Sequence, residues 1–191
     1  MNQVTPKTSP FESESIGRLI VKFAVPSIIS LMVNSLYNIV DQIFIGQGVG
    51  FLGNAATNVA FPFVTISMAF ALLVGDGCAA AFSLNLGRRD ADAARQCVGN
   101  ALSVSLLLGL VFLGVGLGFT TSLLWLFGAT ADVMPYALEY IRIVVLGLPF
   151  VIIGITLNSV IRADGSPRFA MCSMLLGAVI NTILDPIFIF L

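Results

Sequence analysis

The stretch N-S-L-Y-N-I-V-D-Q-I-F-I-G, Asn34 to Gly46, decides how this chain is read, because it sets an aspartate inside sequence otherwise built to lie in lipid. Phe23 to Val40 runs for 18 residues without a charge, and uncharged residues continue from Gln42 through Gly75. Asp41 interrupts them. Asn34, Asn38 and Asp41 fall at i, i+4 and i+7, so on a helix the two amides and the carboxylate share one face. An ionised carboxylate at bilayer depth costs about 2.5–3.5 kcal/mol on insertion scales. That face is therefore expected to turn toward protein or a wet cavity, either as a functional site or as a satisfied helix-packing surface.

The composition agrees. The chain is 58% hydrophobic and 10% charged, where a soluble domain carries about 25% charged residues. Five spans of about 20 residues with short connections use up the sequence and leave no room for a soluble domain. A net charge of −1 without a basic cluster argues against nucleic acid as a partner. No histidine is present, so any proton exchange near neutral pH rests on carboxylates, and no metal-ligand spacing exists. Cys78, Cys97 and Cys172 read as isolated, small apolar fillers.

Residues 1–22 form a polar N-terminal and interfacial segment, with a capping-box spacing at Ser9 to Glu12 ahead of Ile16, Leu19, Ile20 and Phe23. A cleaved secretory signal fits poorly, because the apolar run is too long and lacks a small-residue cleavage site. Residues 23–191 hold the spans. Pro26 is expected to bend the first of them. A glycine-rich turn over Gly46–Gly53 leads to span two, about Asn58–Leu86. Asp76 in this span, ten residues from Leu86, would lie near mid-bilayer, with packing and function equally open to it. The charged cluster Gly87–Arg95 must lie outside the hydrocarbon, with Asp90 as a helix cap. Span three covers about Val98–Phe119, and Leu126–Met134 is a turn in which Thr130 or Asp132 could cap span four. Glu139 and Arg142, three apart, are placed to pair. Span four contains Pro149 and Asn158 and ends near Ile161. In Arg162–Arg168, Asp164-Gly165 makes a bend, Ser166 can cap, and Pro167 opens span five. Asn181 and Asp185 then stand at i and i+4, repeating the design of span one. The chain stops in apolar sequence at Leu191, as expected of a fragment or truncated product.

Lys7, Arg18 and Lys22 precede span one; Arg88, Arg89 and Arg95 separate spans two and three; Arg162 and Arg168 separate four and five. Only Arg142 falls on the other side. The positive-inside rule makes the N-terminus cytoplasmic and brings Asp41 and Asp185 to comparable depth in a multi-pass protein of the cell membrane.

The chain resembles the multidrug and toxic compound extrusion (MATE) family, essentially throughout from Ile20. The resemblance rests on Pro26, on N-x-x-D-x-x-F-I-G from Asn38, and on L-G-x-x-D at Leu86 to Asp90. R-A-D-G-S-P from Arg162 and N-x-x-L-D-P from Asn181 complete it. It implies an all-α fold in which this chain supplies helices one to five of a six-helix N-terminal lobe, half of a twelve-helix transporter. In the family, acidic residues on helices one and five bind the coupling ion, a proton or sodium; by position these are Asp41 and Asp185, with Asn181 as their amide neighbour. Asn34, Asn38, Asp76 and Asn158 are further candidate cavity residues, although Asp76 departs from the commonest pattern, which is uncharged there. No cofactor is expected beyond the coupling ion.

The expected function is antiport, in which proton or sodium binding at Asp41 and Asp185 alternates with binding of an amphipathic organic cation. A missing C-terminal lobe, in the same full-length chain or another, would complete the carrier. The alternatives are a transporter of a lipid-linked substrate, an inactive membrane fragment, or an intramembrane aspartyl protease. The protease would use G-x-G-D, but here Leu73-Val74-Gly75-Asp76 lacks the first glycine and leaves Asp185 idle.

Overall fold

A computed structural model of the chain describes residues 15–190. It is all-helical: α1 (Ile16–Gly48), α2 (Phe51–Gly87), α3 (Ala91–Gly118), α4 (Thr120–Leu126), α5 (Met134–Ala163) and α6 (Pro167–Phe190). All but α4 are long and apolar enough to cross a membrane. The capping-box residues Ser9 to Glu12 lie outside the described residues. From Ile16 onward the expected interfacial segment is continuous with span one, and α1 remains one helix through Pro26.

The helices overrun the apolar windows that reveal them in the sequence. At 1.5 Å per residue the 37 residues of α2 reach about 55 Å, nearly twice a hydrocarbon core of about 30 Å. The expected glycine-rich turn shrinks accordingly: Gly46 and Gly53 are helical, and only Val49 and Gly50 lie between α1 and α2. Gly50 makes the turn at φ +84°, a conformation that disfavours any side chain. The flanking glycines serve close approach instead. A Cβ on Gly46 would meet the Asn54 amide at 2.9 Å.

Three further expectations concern helix ends. Asp90 caps α3 as read, its Oδ1 accepting from the Ala93 N–H at 2.9 Å, a contact of the kind that contributes about 1 kcal/mol. Gly165 turns at φ +85° and Pro167 opens α6. Neither Thr130 nor Asp132 caps α5, however. Val133 occupies the cap position without a side-chain bond, and the Thr130 carbonyl accepts from the Met134 N–H at 2.9 Å. The extra helix α4 appears where α3 breaks at Phe119, a break with no proline or charge to announce it. Glu139 and Arg142 stay exposed and form no ion pair among the described residues.

Packing divides the helices into two layers. α2, α3 and α5 pack on one another along their lengths, while α1 packs mainly on α6. Small residues bring the first group together. Gly109 of α3 abuts Pro149 of α5, and Gly75 of α2 abuts Thr156 and Ser159. At their centre the buried Ser105 and Thr156 hydroxyls hydrogen-bond at 2.8 Å, and Thr156 also donates to the Ala71 carbonyl at 3.5 Å. This satisfies polar groups that would be costly in an apolar interior. An apolar core of Ala60, Phe63, Leu124, Ile141, Val145 and Leu148 fills the end opposite the basic turns. Elsewhere long apolar side chains such as Leu73, Ile143, Phe150 and Phe188 are exposed, as on a surface that lipid or further helices cover.

Candidate functional site

Asp41 sits on α1 and Asp185 on α6, the two helices of the outer layer, and their carboxylates are close enough to interact electrostatically. Both are part-buried. Asp185 Oδ2 is fully buried with no hydrogen-bond partner among the described residues. Such an oxygen is costly unless something occupies its lone pairs. Pro186, directly after it, removes the main-chain donor that would otherwise reach the Thr182 carbonyl, so a second acceptor is freed one turn below the carboxylate. Thr182 turns its own hydroxyl to the Ala178 carbonyl at 2.9 Å.

Two tyrosines complete the surroundings, and sequence reasoning missed both. Tyr37, one turn before Asp41 on α1, lies near both carboxylates, and Tyr140 of α5 lies near Asp41 and Tyr37. Tyr37 could have been found from its i, i+4 spacing to Asp41. Tyr140 carries no local signal, because only tertiary packing brings α5 to α1. The site thus draws on three helices, with Tyr140 reaching from the inner layer to the outer one.

Asn34 and Asn38 stay on the same uninterrupted helix as Asp41, and the Asn38 side chain hydrogen-bonds Tyr37. Asn38 donates to the Asn34 main-chain oxygen at 2.7 Å and to its Oδ1 at 3.2 Å. With Gln42, Gly46 and Asn54, Asn38 lines an open pocket of about 540 Å³ between α1 and α2. There Thr57 donates to Gln42 Oε1 at 3.2 Å, and Asn54 Oδ1 is a second buried oxygen without a partner among the described residues. Asn181 stays one turn from Asp185 and is exposed. Asn158 is elsewhere, bonding the Ala170 carbonyl at the start of α6 at 3.2 Å. Ala170 lies 15 residues, or about 22 Å of helix, from Asp185.

Asp76 contacts the last turns of α5. Its Oδ1 accepts from the Ser159 hydroxyl at 2.8 Å, and Arg162 Nη2 lies 3.9 Å away, itself 3.1 Å from Ser159 Oγ. Arg162 is in the last turn of α5, so Asp76 stands level with the basic end of that helix, and α2 projects beyond it. From Asp76 to Gly87 the helix α2 runs on past the end of α5 toward the α2–α3 turn. Asp76 is a partner in an interhelical contact, far from the Asp41 and Asp185 pair.

Comparison with known proteins gives this arrangement a family. A family model described as MatE matches residues 26–187. This chain belongs to the MatE family. It is 33% identical over 184 residues to the multidrug export protein MepA of Staphylococcus haemolyticus (strain JCSC1435), and 29% identical to MepA of Staphylococcus aureus (strain MRSA252). Each alignment covers 94% of this chain and 40% of the relative. Among solved structures, the MATE multidrug transporter DinF-BH superposes with a TM-score of 0.90 at 36% identity, covering all of this chain and 42% of that one. A MOP superfamily transporter from Pyrococcus furiosus gives 0.84 at 32% identity, covering 91% and 38%. The chain thus spans about 40% of the length of its relatives, as the N-terminal part of a multi-pass MatE membrane protein. The similarity is to transporters and not to enzymes.

Since Asp76 is held by Ser159 and Arg162, Asp76→Asn in a completed MatE transporter is expected to keep most of the efflux, whereas Asp41→Asn is not. Efflux of a fluorescent lipophilic cation from cells measures this. Equal losses would tie Asp76 of α2 to the same step as Asp41.

Proposed function

We propose that this chain is the ion-coupling part of a MatE drug antiporter, in which Asp41 and Asp185 bind a proton or sodium in alternation with an amphipathic organic cation. A second lobe, from the same full-length chain or another, completes the carrier. The observation that carries this reading is the approach of two carboxylates on α1 and α6 to within electrostatic reach, one of them with a buried oxygen that no group among the described residues satisfies. A proton or a cation neutralises such a pair, and an organic cation competes for the same charge. Coupling follows if ion and drug favour different states of the carrier, since a ligand shifts an equilibrium only through differential affinity. Asn181 and the Thr182 carbonyl supply neutral oxygens nearby, a donor type that suits sodium. Transport of a lipid-linked substrate would use the same frame. The protease reading loses ground, because its Gly-Asp aspartate, Asp76, contacts Arg162 and not a second aspartate.

The test is transport in proteoliposomes containing the completed carrier, loaded with a fluorescent lipophilic cation. An inward proton or sodium gradient should accelerate its exit. Efflux indifferent to both gradients overturns the proposal.

Orientation belongs to the same proposal. With eight of nine basic residues on one side, the N-terminus, the α2–α3 turn and the α5–α6 turn are cytoplasmic. Cysteines introduced near Gly50 and Ala129 should then label from outside intact cells, and those near Arg89 and Gly165 should not. The reverse pattern would invert the site relative to the membrane.

A further inference from the structure

The sequence separates Cys78 and Cys97 by 19 residues, but the α2–α3 hairpin folds them against each other. Their sulfurs are 3.4 Å apart. Each thiol also faces the other's main chain, Cys78 Sγ at 3.5 Å from the Cys97 carbonyl oxygen and Cys97 Sγ at 3.6 Å from that of Cys78. This reciprocity means that the two residues stand at the same level of the two helices. Disulfide formation, with an S–S bond of about 2.05 Å, then needs rotation about the Cα–Cβ bonds and no sliding of one helix past the other. Reading these cysteines as isolated fillers therefore does not survive for this pair. Cys172, exposed on α6, remains alone.

We propose that Cys78 and Cys97 are a redox-sensitive dithiol that a two-electron oxidant such as hydrogen peroxide closes to a disulfide, stapling α2 to α3. Cys97 is half-buried and Cys78 only 6% exposed, so Cys97 meets the oxidant first. Its thiolate attacks one peroxide oxygen, the O–O bond breaks, and sulfenic acid and one water form. The Cys78 sulfur then attacks the sulfenic sulfur, forming the S–S bond and expelling a second water. Two thiols lose two electrons and two hydrogens, and one peroxide becomes two waters. The site is placed to be reached. Cys78 is two residues beyond Asp76, level with the last turn of α5, and Cys97 lies six residues, about 9 Å, into α3. The pair is thus at the basic rim of the bundle, where a small neutral oxidant arrives from water. The staple would join the two arms of the projecting hairpin next to the Asp76–Arg162 contact.

The 191-residue chain in lipid nanodiscs is treated with hydrogen peroxide, quenched, unfolded in detergent and labelled with a polymer-tagged maleimide that shifts its mobility once per free thiol. Untreated chain should carry three labels. Oxidised chain should carry one, with dithiothreitol restoring all three, a mass loss of two hydrogens, and a linked peptide pair containing residues 78 and 97. Cys97→Ser should show two labels with or without peroxide, and Cys172→Ser should go from two labels to none. Three labels after oxidation of the wild type would overturn the proposal. So would a loss that dithiothreitol does not reverse, or a dimer linked through Cys172. Equal closure in chain unfolded before oxidation would also overturn it, because the folded geometry would then not be the cause.

Discussion

Gly109→Val should lower the unfolding temperature of the helical core sharply, with a loss of about 3 kcal/mol or more. A Cβ at Gly109 would stand 2.6 Å from the Pro149 Cα and 3.0 Å from its Cβ. The obstacle is main chain, and main chain at a proline, so no side-chain rotation relieves it. Overpacking of this kind typically costs about 1–3 kcal/mol, and more where the backbone must shift. Valine adds two further methyl groups to that first clash. The neighbourhood cannot easily give, because Leu148 beside Pro149 is fully buried and the Ser105–Thr156 bond fixes the same pair of helices about one turn away on α3. Gly114 of the same helix provides the matched control. Nothing lies within 4 Å of a Cβ built there, so Gly114→Ala should be neutral or raise stability by about 0.5–1 kcal/mol through helix propensity. The measurement is the thermal unfolding midpoint of the chain in detergent micelles. Unchanged melting of Gly109→Val would mean that α3 and α5 do not approach as closely as described.

What the sequence made legible is what local chemistry encodes. The five spans follow from uncharged length, the Asp90 cap from an acidic residue ahead of a helical run, and the Asp164-Gly165 bend followed by Pro167 from turn chemistry. The nearness of Asp41 and Asp185 was legible for a different reason. Each reads as a carboxylate in apolar sequence, and topology together with the family resemblance brings both to one depth on helices of one lobe. Contacts set by helix register were not legible. Tyr140 reaches Asp41 from another layer, Cys78 finds Cys97 across a hairpin, and Asp76 finds Arg162 because α2 overshoots α5. Gly46 and Gly53 misled in the opposite direction. Their composition suggests a turn, but in a membrane helix glycine is as often a point of close approach as a breaker, and here both remain helical.

Asp41→Asn and Asp185→Asn should each remove most of the ion-driven efflux of a completed transporter, on the order of ten-fold, and the double variant should be little worse than either single one. The reason is the shared geometry. The two carboxylates lie on adjacent packed helices within electrostatic reach, Tyr37 lies near both, and the buried Asp185 Oδ2 has no partner among the described residues. Groups arranged in this way titrate or bind a cation as a unit, so their behaviour belongs to the pair. Removing one carboxylate leaves the other without the charge that retained the ion. The second substitution then has little left to remove, which is the non-additivity expected of residues that share one electrostatic site. Asparagine keeps the shape of each side chain while removing its charge and replacing one acceptor oxygen with an amide donor, so a folding defect is not the expected cause of the loss. Efflux of a lipophilic cation should be followed for both single variants and the double variant, with proton and sodium gradients imposed separately. A carrier coupled to sodium should lose only the sodium response, and one coupled to protons only the response to pH. If the single losses multiply in the double variant, Asp41 and Asp185 act on separate steps and the shared site is wrong.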